Sequence, residues 1–259
     1  MSGRLRSPVF VFVALMMVAT QYLVSASPQN RKAPSYGDDY YGEHSDTSNK
    51  FTFVRVMFGP VVPGQYLGDG PIGWSHDYPE AGIHFGKILS EVSKMEVALD
   101  QKEYIFSFTD PNLFKYPFAY LCEVGHMSLS DEEIAGMREY VLRGGFLLID
   151  DFRGGNDLQN LAYYLKRALP EYEMKPLDLS HPIFNCFFSI KSLDVRSYGR
   201  LRPEFLGIED KHGRLMMIIN YNYDVSDYWQ WSNDPFQPIE DTNEAYKFGV
   251  NYVFYALTH

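Results

Sequence analysis

Two adjacent carboxylates, Asp150 and Asp151, directly follow the apolar run FLLI at residues 146–149. A run that is apolar on both faces is typical of a buried parallel strand, and ligands bind where such strands end. Carboxylates removed from water need a hydrogen-bonding partner or a cation. The pair therefore marks a candidate ligand or metal site. The structural alternative is that one carboxylate caps the next turn and the other pairs with Arg153 at the surface.

A second polar group follows the apolar run LMMII at residues 215–219. Its candidate ligand-binding residues are Asn220, Asn222, Asp224, Asp227 and Trp229. Aromatic faces beside amides and acids are typical of sugar sites, because CH groups pack on the rings while hydroxyls bond to the polar groups. If the two strands are neighbours, this segment shares a cleft with the aspartate pair. Alternatively, the aromatic side chains pack this loop onto the domain.

A third pair of candidates, Glu123 and His126, follows the apolar run FAYLC. These side chains suit an acid/base pair, and two carboxylates across a cleft can hydrolyse a glycosidic bond. The chain has no G-x-S-x-G elbow, and the glycine pairs at 144–145 and 154–155 serve caps and turns and do not form a G-x-G-x-x-G phosphate loop. No motif therefore amounts to a catalytic signature.

The histidines predict no zinc site. His76, His126 and His181 fall in predicted loops, and none has the H-x-H or HExxH spacing of metal ligands. Structural roles are favoured for all three, and we predict no cofactor. The strand ends rich in Asp and Asn would suit Ca²⁺ or Mg²⁺ better than zinc, although an EF-hand loop is absent.

The elements that position these residues alternate along the chain. Ser130 and Glu133 form a capping box, Ile134, Met137 and Val141 share one helical face, and Gly144 ends this helix. Strands are predicted at residues 51–58, 97–99, 117–122, 146–151 and 215–219, and helices near 83–92, 131–143, 154–169 and 242–257. This alternation predicts an α/β fold with a doubly wound, mostly parallel sheet flanked by helices. The order of the strands is not readable.

The N-terminal region indicates export. Residues 1–26 carry Arg4 and Arg6, an apolar core of about a dozen residues and a small-residue cleavage site, as in a signal peptide. The core is too short for a spanning helix, which needs about 20 residues. We expect a flexible leader at 27–50, one domain at 51–259 and a periplasmic or extracellular location. An uncleaved N-terminal anchor is the alternative, and no later segment is predicted to span a membrane.

Charge excludes some partners. The net charge is −10, and losing the two charges of Arg4 and Arg6 would make it −12. Such a balance opposes binding to nucleic acids or anionic lipids, which depends on clustered Lys and Arg. Cys122 and Cys186 both lie in apolar runs, so two buried thiols are expected, with a disulfide as the alternative.

Several long blocks carry a family resemblance. They are DPNLFKYPFAYL, LSDEEIAGMREYVLRGGFLLIDDF, SHPIF, GRLMMIINYNYDVSDYWQW and FGVNYVFYALTH. In this order they resemble the DUF4159 family, bacterial proteins of unknown function, from about residue 51 to residue 259. The resemblance implies a flavodoxin-like fold similar to the class I glutamine amidotransferase domain, and no established activity. Tyr120 and Val124 stand where a glutaminase elbow around Cys122 would need glycines, which argues against glutaminase chemistry.

The leading functional hypothesis is a non-catalytic ligand-binding or assembly module at the cell envelope, whose partner is an envelope protein or a glycan. The first alternative is a hydrolase, acting on glycans, that uses a strand-end aspartate with His126 or Glu123. The second alternative is a structural subunit with an exposed aromatic surface. This superfold hosts many functions, so the fold does not choose among them.

Overall fold

The computed structural model describes residues 49–59, 66–67, 70–71, 73–99, 104–197 and 201–259. For residues 66–67 and 70–71 it describes the backbone alone. The predicted signal peptide and all but the end of the predicted leader lie outside the described residues. Within them, no helix combines the length and the apolar character that a bilayer-spanning helix needs.

A seven-stranded sheet forms the centre of the described chain. The strands are β1 (Phe51–Thr52), β2 (Arg55–Val56), β3 (Tyr66–Leu67), β4 (Gly70–Pro71), β5 (Val97–Ala98), β6 (Ile105–Phe106), β7 (Phe118–Cys122), β8 (Phe146–Phe152), β9 (Met174–Pro176), β10 (Glu204–Glu209) and β11 (Leu215–Tyr221). The central order is β6-β2-β7-β8-β11-β10-β9. β1 pairs with β5, and β3 pairs with β4, outside this sheet.

The first five strands of this order are parallel, and β10 and β9 add to them in antiparallel fashion. Numbered within the parallel part alone, the strands run second, first, third, fourth, fifth, which is the flavodoxin-like order. The predicted α/β fold with a mostly parallel sheet is confirmed. The direction in which successive strands are added to the sheet reverses between β2 and β7. In open α/β sheets, ligands bind outside the carboxyl ends of the strands at such a point.

Helices cover both faces of the sheet. They are α1 (Glu80–Ser93), α2 (Asp131–Leu142), α3 (Gly154–Ala168), α4 (Val225–Gln230) and α5 (Ile239–Thr258). Successive residues of β8 point to opposite faces. Leu147 packs in the core cluster that contains residues of α2 and α3, whereas Leu148 packs in the cluster that contains residues of α1, α4 and α5. Two apolar layers, one on each face, therefore hold the doubly wound architecture together.

The clearest sequence prediction, the capped helix before β8, is confirmed. The Ser130 hydroxyl accepts from the Glu133 amide at 3.2 Å, and the Glu133 carboxylate accepts from the Ser130 amide at 2.8 Å. Gly144, with φ of 106°, follows the helix in the conformation that a residue without a side chain adopts most easily. This sharp stop sends the chain straight into β8 and places the aspartate pair at the carboxyl edge of the sheet.

Two predictions for the sheet are wrong in detail. The single strand predicted over 51–58 is two short strands, because residues 51–52 pair with β5 while residues 55–56 pair with β6 and β7. The chain after Pro176 contains β10, which forms a full antiparallel pair with β11. The sequence showed no pattern there that distinguished a strand.

Candidate functional site

Three neighbouring strands end in polar residues with a left-handed backbone. Glu123 follows β7 with φ of 52°, Asp151 lies near the end of β8 with φ of 51°, and Asn222 follows β11 with φ of 59°. This conformation is uncommon for residues other than glycine and is concentrated at functional sites. The ladder nevertheless continues, since the Glu123 amide donates to the Asp151 carbonyl at 3.1 Å. The strand ends thus turn three polar side chains out of the regular alternation at one edge of the sheet.

Asp150 is fully buried and holds the start of α4. Its carboxylate accepts from the amides of Val225 and Ser226, each at 3.1 Å, and from Asn220 Nδ2 at 2.8 Å. Burial raises its pKa to about 7, although these donors lower it. Both oxygens already have donors, so Asp150 joins β8 to α4, as the structural alternative expected of one member of the pair.

Asp151 faces the loop that precedes α1. Asp151 Oδ2 lies 2.6 Å from His76 Nδ1, and Asp151 Oδ1 lies 3.2 Å from Arg153 Nη2. The hydrogen bond to Asp151, together with the carboxylate of Asp77, whose Oδ1 lies 3.4 Å from His76 Nδ1, raises the pKa of His76 to about 11. Burial opposes ionisation of Asp151, but the bond to His76 and further polar contacts bring its pKa down to about 2. At neutral pH Asp151 is therefore a carboxylate and His76 is an imidazolium. An imidazolium cannot act as a base.

Arg55 of β2 holds the backbone of the loop that carries His76. Arg55 is 3 % exposed, and its Nη1 donates to the carbonyls of Trp74 at 2.9 Å and His76 at 2.6 Å. The same nitrogen lies 3.2 Å from Cys122 Sγ at the end of β7. The buried guanidinium of Arg55, at the point where the order of the strands reverses, therefore holds the loop across the carboxyl ends of β2 and β7.

Asp77 and Asp224 meet at one hydroxyl group, that of Ser226. Ser226 Oγ lies 2.6 Å from Asp77 Oδ2 and 3.0 Å from Asp224 Oδ1. A serine hydroxyl has a single hydrogen and can donate to only one carboxylate at a time. The other oxygens of these residues, Asp77 Oδ1 and Asp224 Oδ2, are buried and accept no hydrogen bond from the described residues; His76 Nδ1 lies 3.4 Å from the first and Arg153 Nη2 lies 3.6 Å from the second. Burial and the charges of Asp151 and Asp77 raise the pKa of Asp224 well above its usual range.

Two sets of side chains around these carboxylates have the spacing of metal ligands. His76, Asp77 and Asp151 form one set, and Asp77, Asp224 and Asp227 form the other. In each set one ligand atom per residue lies within 4.8 Å of the others. We call the five residues together the strand-end cluster. Solvent reaches it past His76 and Arg153, whose side chains are 31 % and 48 % exposed.

Glu123 and His126 lie beside this cluster, 3.5 Å apart between Glu123 Oε2 and His126 Nε2. Burial, with a contribution from the charge of Asp151, raises the pKa of Glu123 to about 7. His126 is half exposed. The acid/base pair that the sequence suggested is therefore present as a contact, and Glu123 can exchange a proton near neutral pH.

The remaining candidates of segment 220–231 have structural partners. Asn220 bonds to Asp150 and accepts from the Tyr252 hydroxyl at 3.0 Å. Asn222 Oδ1 accepts from the Gly154 amide at the start of α3 at 2.9 Å. Trp229 is fully buried and stacks on Phe85, with ring centroids 4.4 Å apart. The structure thus brings Asp224 and Asp227 to the cluster and places the Trp229 ring in the core, where it offers no surface for a sugar.

Sequence reasoning favoured a structural role for His76 and did not identify Asp77 or Ser226. The loop before α1 has no periodicity, and its composition predicted only a loop. Its position was the available signal, because the loop after the first strand of a flavodoxin-like sheet lies at the ligand-binding edge. Both cysteines are free thiols, with Cys122 buried and Cys186 partly buried. Burial raises the pKa of Cys122 well above its usual range, so it is poorly suited to be a nucleophile.

A groove of about 540 Å³ lies elsewhere on the molecule and shares no residue with the strand-end cluster. It runs along β9 and β10, and Lys175, His181 and Glu209 are among the residues that line it. His181 Nε2 lies 3.5 Å from Glu209 Oε1, and its Nδ1 accepts from the Ile183 amide at the start of a short 3₁₀ helix. This contact agrees with a structural histidine.

Comparison with known proteins gives a family and no activity. A family model described as a domain of unknown function, DUF4159, matches residues 65–257. The match covers most of the chain, so the protein belongs to the DUF4159 family, as the resemblance of its sequence blocks indicated. No curated protein matches the chain. The matched region includes every residue of the strand-end cluster.

Proposed function

We propose that this DUF4159 protein is a non-catalytic binding module whose ligand is held at the strand-end cluster. One observation carries the proposal: within the part of the chain that the structure describes, two buried carboxylate oxygens, Asp77 Oδ1 and Asp224 Oδ2, have no hydrogen-bond partner. Leaving such groups unsatisfied costs about 1–3 kcal/mol each, and more when they are charged. A ligand that supplies positive charge or hydrogen-bond donors would remove this cost.

The charge of the site restricts the class of ligand. Asp77, Asp150, Asp151 and Asp224 are all buried, and the two cationic side chains that pair with them are His76 and Arg153. An excess of carboxylate repels phosphates and other anions and attracts amines, cations and sugar hydroxyls. The proposed ligands are therefore hydroxyl-rich or amine-bearing, such as an envelope glycan or a basic segment of an envelope protein.

The second candidate function is a hydrolase, and the Glu123–His126 contact favours it. A carboxyl group whose pKa is about 7 can serve as a general acid at neutral pH. Two observations weigh against a hydrolase. Asp150 has donors on both oxygens, and His76 keeps its proton. We therefore rank turnover of a glycan below binding.

Export and an envelope partner remain part of this proposal. Their support is the sequence of residues 1–26 and the acidic charge of the chain. The test is cell fractionation of the full-length protein, with N-terminal sequencing of the product. Cleavage near residue 26 and recovery outside the cytoplasm support the proposal, and an intact cytoplasmic chain contradicts it.

Binding is tested by titrating the full chain with soluble envelope glycans and with basic oligopeptides, using calorimetry and thermal shift. Each titration is run in chelator, in Ca²⁺ and in Mg²⁺. Asp224→Asn replaces one carboxyl group of the cluster by an amide, and Asp194→Asn makes the same change at an exposed position. We expect at least tenfold weaker binding for Asp224→Asn and wild-type binding for Asp194→Asn.

Two results would contradict binding at the cluster. One is that no glycan or peptide binds the wild-type chain in any of the three conditions. The other is that Asp224→Asn binds as tightly as Asp194→Asn. Release of reducing sugar by the wild-type chain, lost in Glu123→Gln while glycan binding persists, would establish the hydrolase instead.

A further inference from the structure

We propose that Asp77, Asp224 and Asp227 bind a calcium ion. The inference deepens the proposed function and rests on it, because the ion would occupy the same cluster and help to present the ligand. The binding of the ion alone can be measured without any organic ligand. The two claims can therefore fail separately.

Three carboxyl groups of the cluster are almost fully removed from water. The side chains of Asp77 and Asp224 are 0 % and 4 % exposed, and that of Asp151 is 1 % exposed. Arg153 Nη2 is shared between Asp151 at 3.2 Å and Asp224 at 3.6 Å. Burying carboxylates without full compensation is costly, so this arrangement needs additional positive charge.

Arg55 does not supply this charge. It is a buried arginine near the cluster, but its Nη1 is engaged by the carbonyls of Trp74 and His76. Its guanidinium lies over the Tyr120 ring, 4.8 Å from the centroid. Its hydrogen bonds hold the loop backbone. Among the described residues, no hydrogen bond joins Arg55 to the carboxylates of Asp77 or Asp224.

Two oxygens of the ligand set are buried and accept no hydrogen bond from the residues that the structure describes. They are Asp77 Oδ1, which lies 3.4 Å from His76 Nδ1, and Asp224 Oδ2, which lies 3.6 Å from Arg153 Nη2. The donors at the other two oxygens are the Ser226 hydroxyl, whose one hydrogen reaches Asp77 Oδ2 or Asp224 Oδ1, and the Asp227 amide, which donates to Asp224 Oδ1 at 2.9 Å. Two buried residues of one ligand set thus present more lone pairs than the surrounding protein has hydrogens to fill.

The spacing of the three carboxylates also fits a calcium ion. One oxygen each from Asp77, Asp224 and Asp227 lies within 4.8 Å of the other two. Oxygens at such separations can all lie about 2.3–2.6 Å from one Ca²⁺ ion. Asp227 is half-buried, which leaves a solvent side where water or a ligand hydroxyl would complete the coordination.

The choice of ion follows from the donor atoms. The set contains oxygen ligands alone, which suit hard cations and not zinc or copper. Mg²⁺ is usually held by one or two carboxylates together with several waters, whereas Ca²⁺ accepts a larger and less regular set of protein oxygens. The overlapping set with His76 is already satisfied internally, because His76 Nδ1 is bonded to Asp151 Oδ2 at 2.6 Å.

The test uses the full chain, stripped with a chelator and titrated with CaCl₂ alone by calorimetry and thermal shift. MgCl₂ and ZnCl₂ are titrated separately. A ligand that binds only the native state raises the melting temperature by mass action. We expect saturable binding of one Ca²⁺ per chain and a rise in melting temperature. Asp227→Asn, at the most exposed member of the set, should weaken Ca²⁺ binding at least tenfold, and Asp194→Asn should leave it unchanged.

Asp224→Asn separates a bound ion from a bound proton. If a proton neutralises the cluster, the wild-type chain will not respond to Ca²⁺, and Asp224→Asn will melt at the wild-type temperature or above it in chelator. That result would overturn the proposal. Tighter binding of Zn²⁺ or Mg²⁺ than of Ca²⁺, or equal Ca²⁺ binding by Asp227→Asn and Asp194→Asn, would overturn it as well.

Discussion

Asp150 and Asp151, adjacent residues at the end of β8, bond to different parts of the structure. Asp150 accepts amide hydrogens at the start of α4, while Asp151 pairs with His76 and Arg153. The left-handed backbone of Asp151 interrupts the strand between these roles. The position and the type of both residues could be predicted from the sequence, because a buried apolar run ends there. Which of them faces the site could not, since that depends on α4 and on a loop far away in the chain.

Glu123 should make the stability of the protein depend on pH. Its pKa is about 7 in the folded chain, against an ordinary value of 4.5, so between these values the folded state binds a proton that the unfolded state lacks. Stability therefore falls as pH rises from about 4.5 to about 7. Glutamine does not ionise, so Glu123→Gln should gain roughly 1–3 kcal/mol relative to wild type between pH 5 and pH 8. Urea unfolding at both pH values measures this.

The control for Glu123 is Glu132→Gln, at an exposed position of α2. This substitution changes an exposed surface side chain, so its effect on stability should be small at both pH values. If Glu123→Gln behaves like Glu132→Gln, the carboxyl group is ionised in the folded chain at pH 5, and the case for Glu123 as a general acid is lost.

Asp150→Asn should destabilise the protein by about 1–3 kcal/mol, because donors that now reach two carboxylate oxygens would meet one oxygen and one amino group. The donors are Asn220 Nδ2 and the amides of Val225 and Ser226. Asp110→Asn is the matched control, since Asp110 Oδ1 accepts one amide hydrogen, from Asn112 at 2.8 Å, and asparagine caps nearly as well. Equal midpoints of the two variants in urea would argue against this account of Asp150.

At the scale of elements, α4 explains why the sequence of segment 220–231 suggested a sugar-binding site. A helix of six residues is too short to show a helical period, so its aromatic residues could not be assigned to a face from the sequence. In the structure Tyr223, Tyr228 and Trp229 belong to the core cluster between the sheet and helices α1 and α5. By contrast, the longer helices α2 and α3 were predictable, because each presents several apolar residues at helical spacing.

The contact of α5 with α1 and α4 depends on a glycine. A Cβ atom at Gly249 would lie 2.4 Å from Trp229 Cζ2 and 2.6 Å from Phe85 Cε2, inside the stacked pair. Gly249→Ala should therefore destabilise the protein by about 1–3 kcal/mol through overpacking, despite the better helix propensity of alanine. Chemical denaturation measures the change.

Gly155→Ala is the control for this prediction. Gly155 lies in the first turn of α3, where an added Cβ would meet nothing within 4 Å. This variant should be neutral or more stable than wild type by up to about 1 kcal/mol, since alanine loses less backbone entropy on folding. A Gly249→Ala variant as stable as Gly155→Ala would mean that α5 shifts without cost and that its packing does not fix the position of α4.

At the scale of the molecule, the order of the strands was the part of the fold that the sequence could not give. Each strand reads as a local pattern, but its neighbours are set by contacts between residues far apart in the chain. β7 lies between β2 and β8 because the first crossover runs one way and the later ones run the other. This reversal brings the loop with His76 and Asp77 against the ends of β7 and β8. The site therefore depends on topology as much as on the residues in it.

The same topology predicts how stability is distributed over the chain. Strands β7 and β8 are buried along their whole length and have a bonded neighbour on each side, so their amides should exchange with solvent only on global unfolding. β9 is an edge strand that is partly to fully exposed and ends in Pro176, so its amides should exchange through local opening. Hydrogen exchange with mass spectrometry, on peptides covering these strands, measures both. Protection of β9 equal to that of β8 would show that the antiparallel addition opens only with the parallel sheet, and that the seven strands form one cooperative unit.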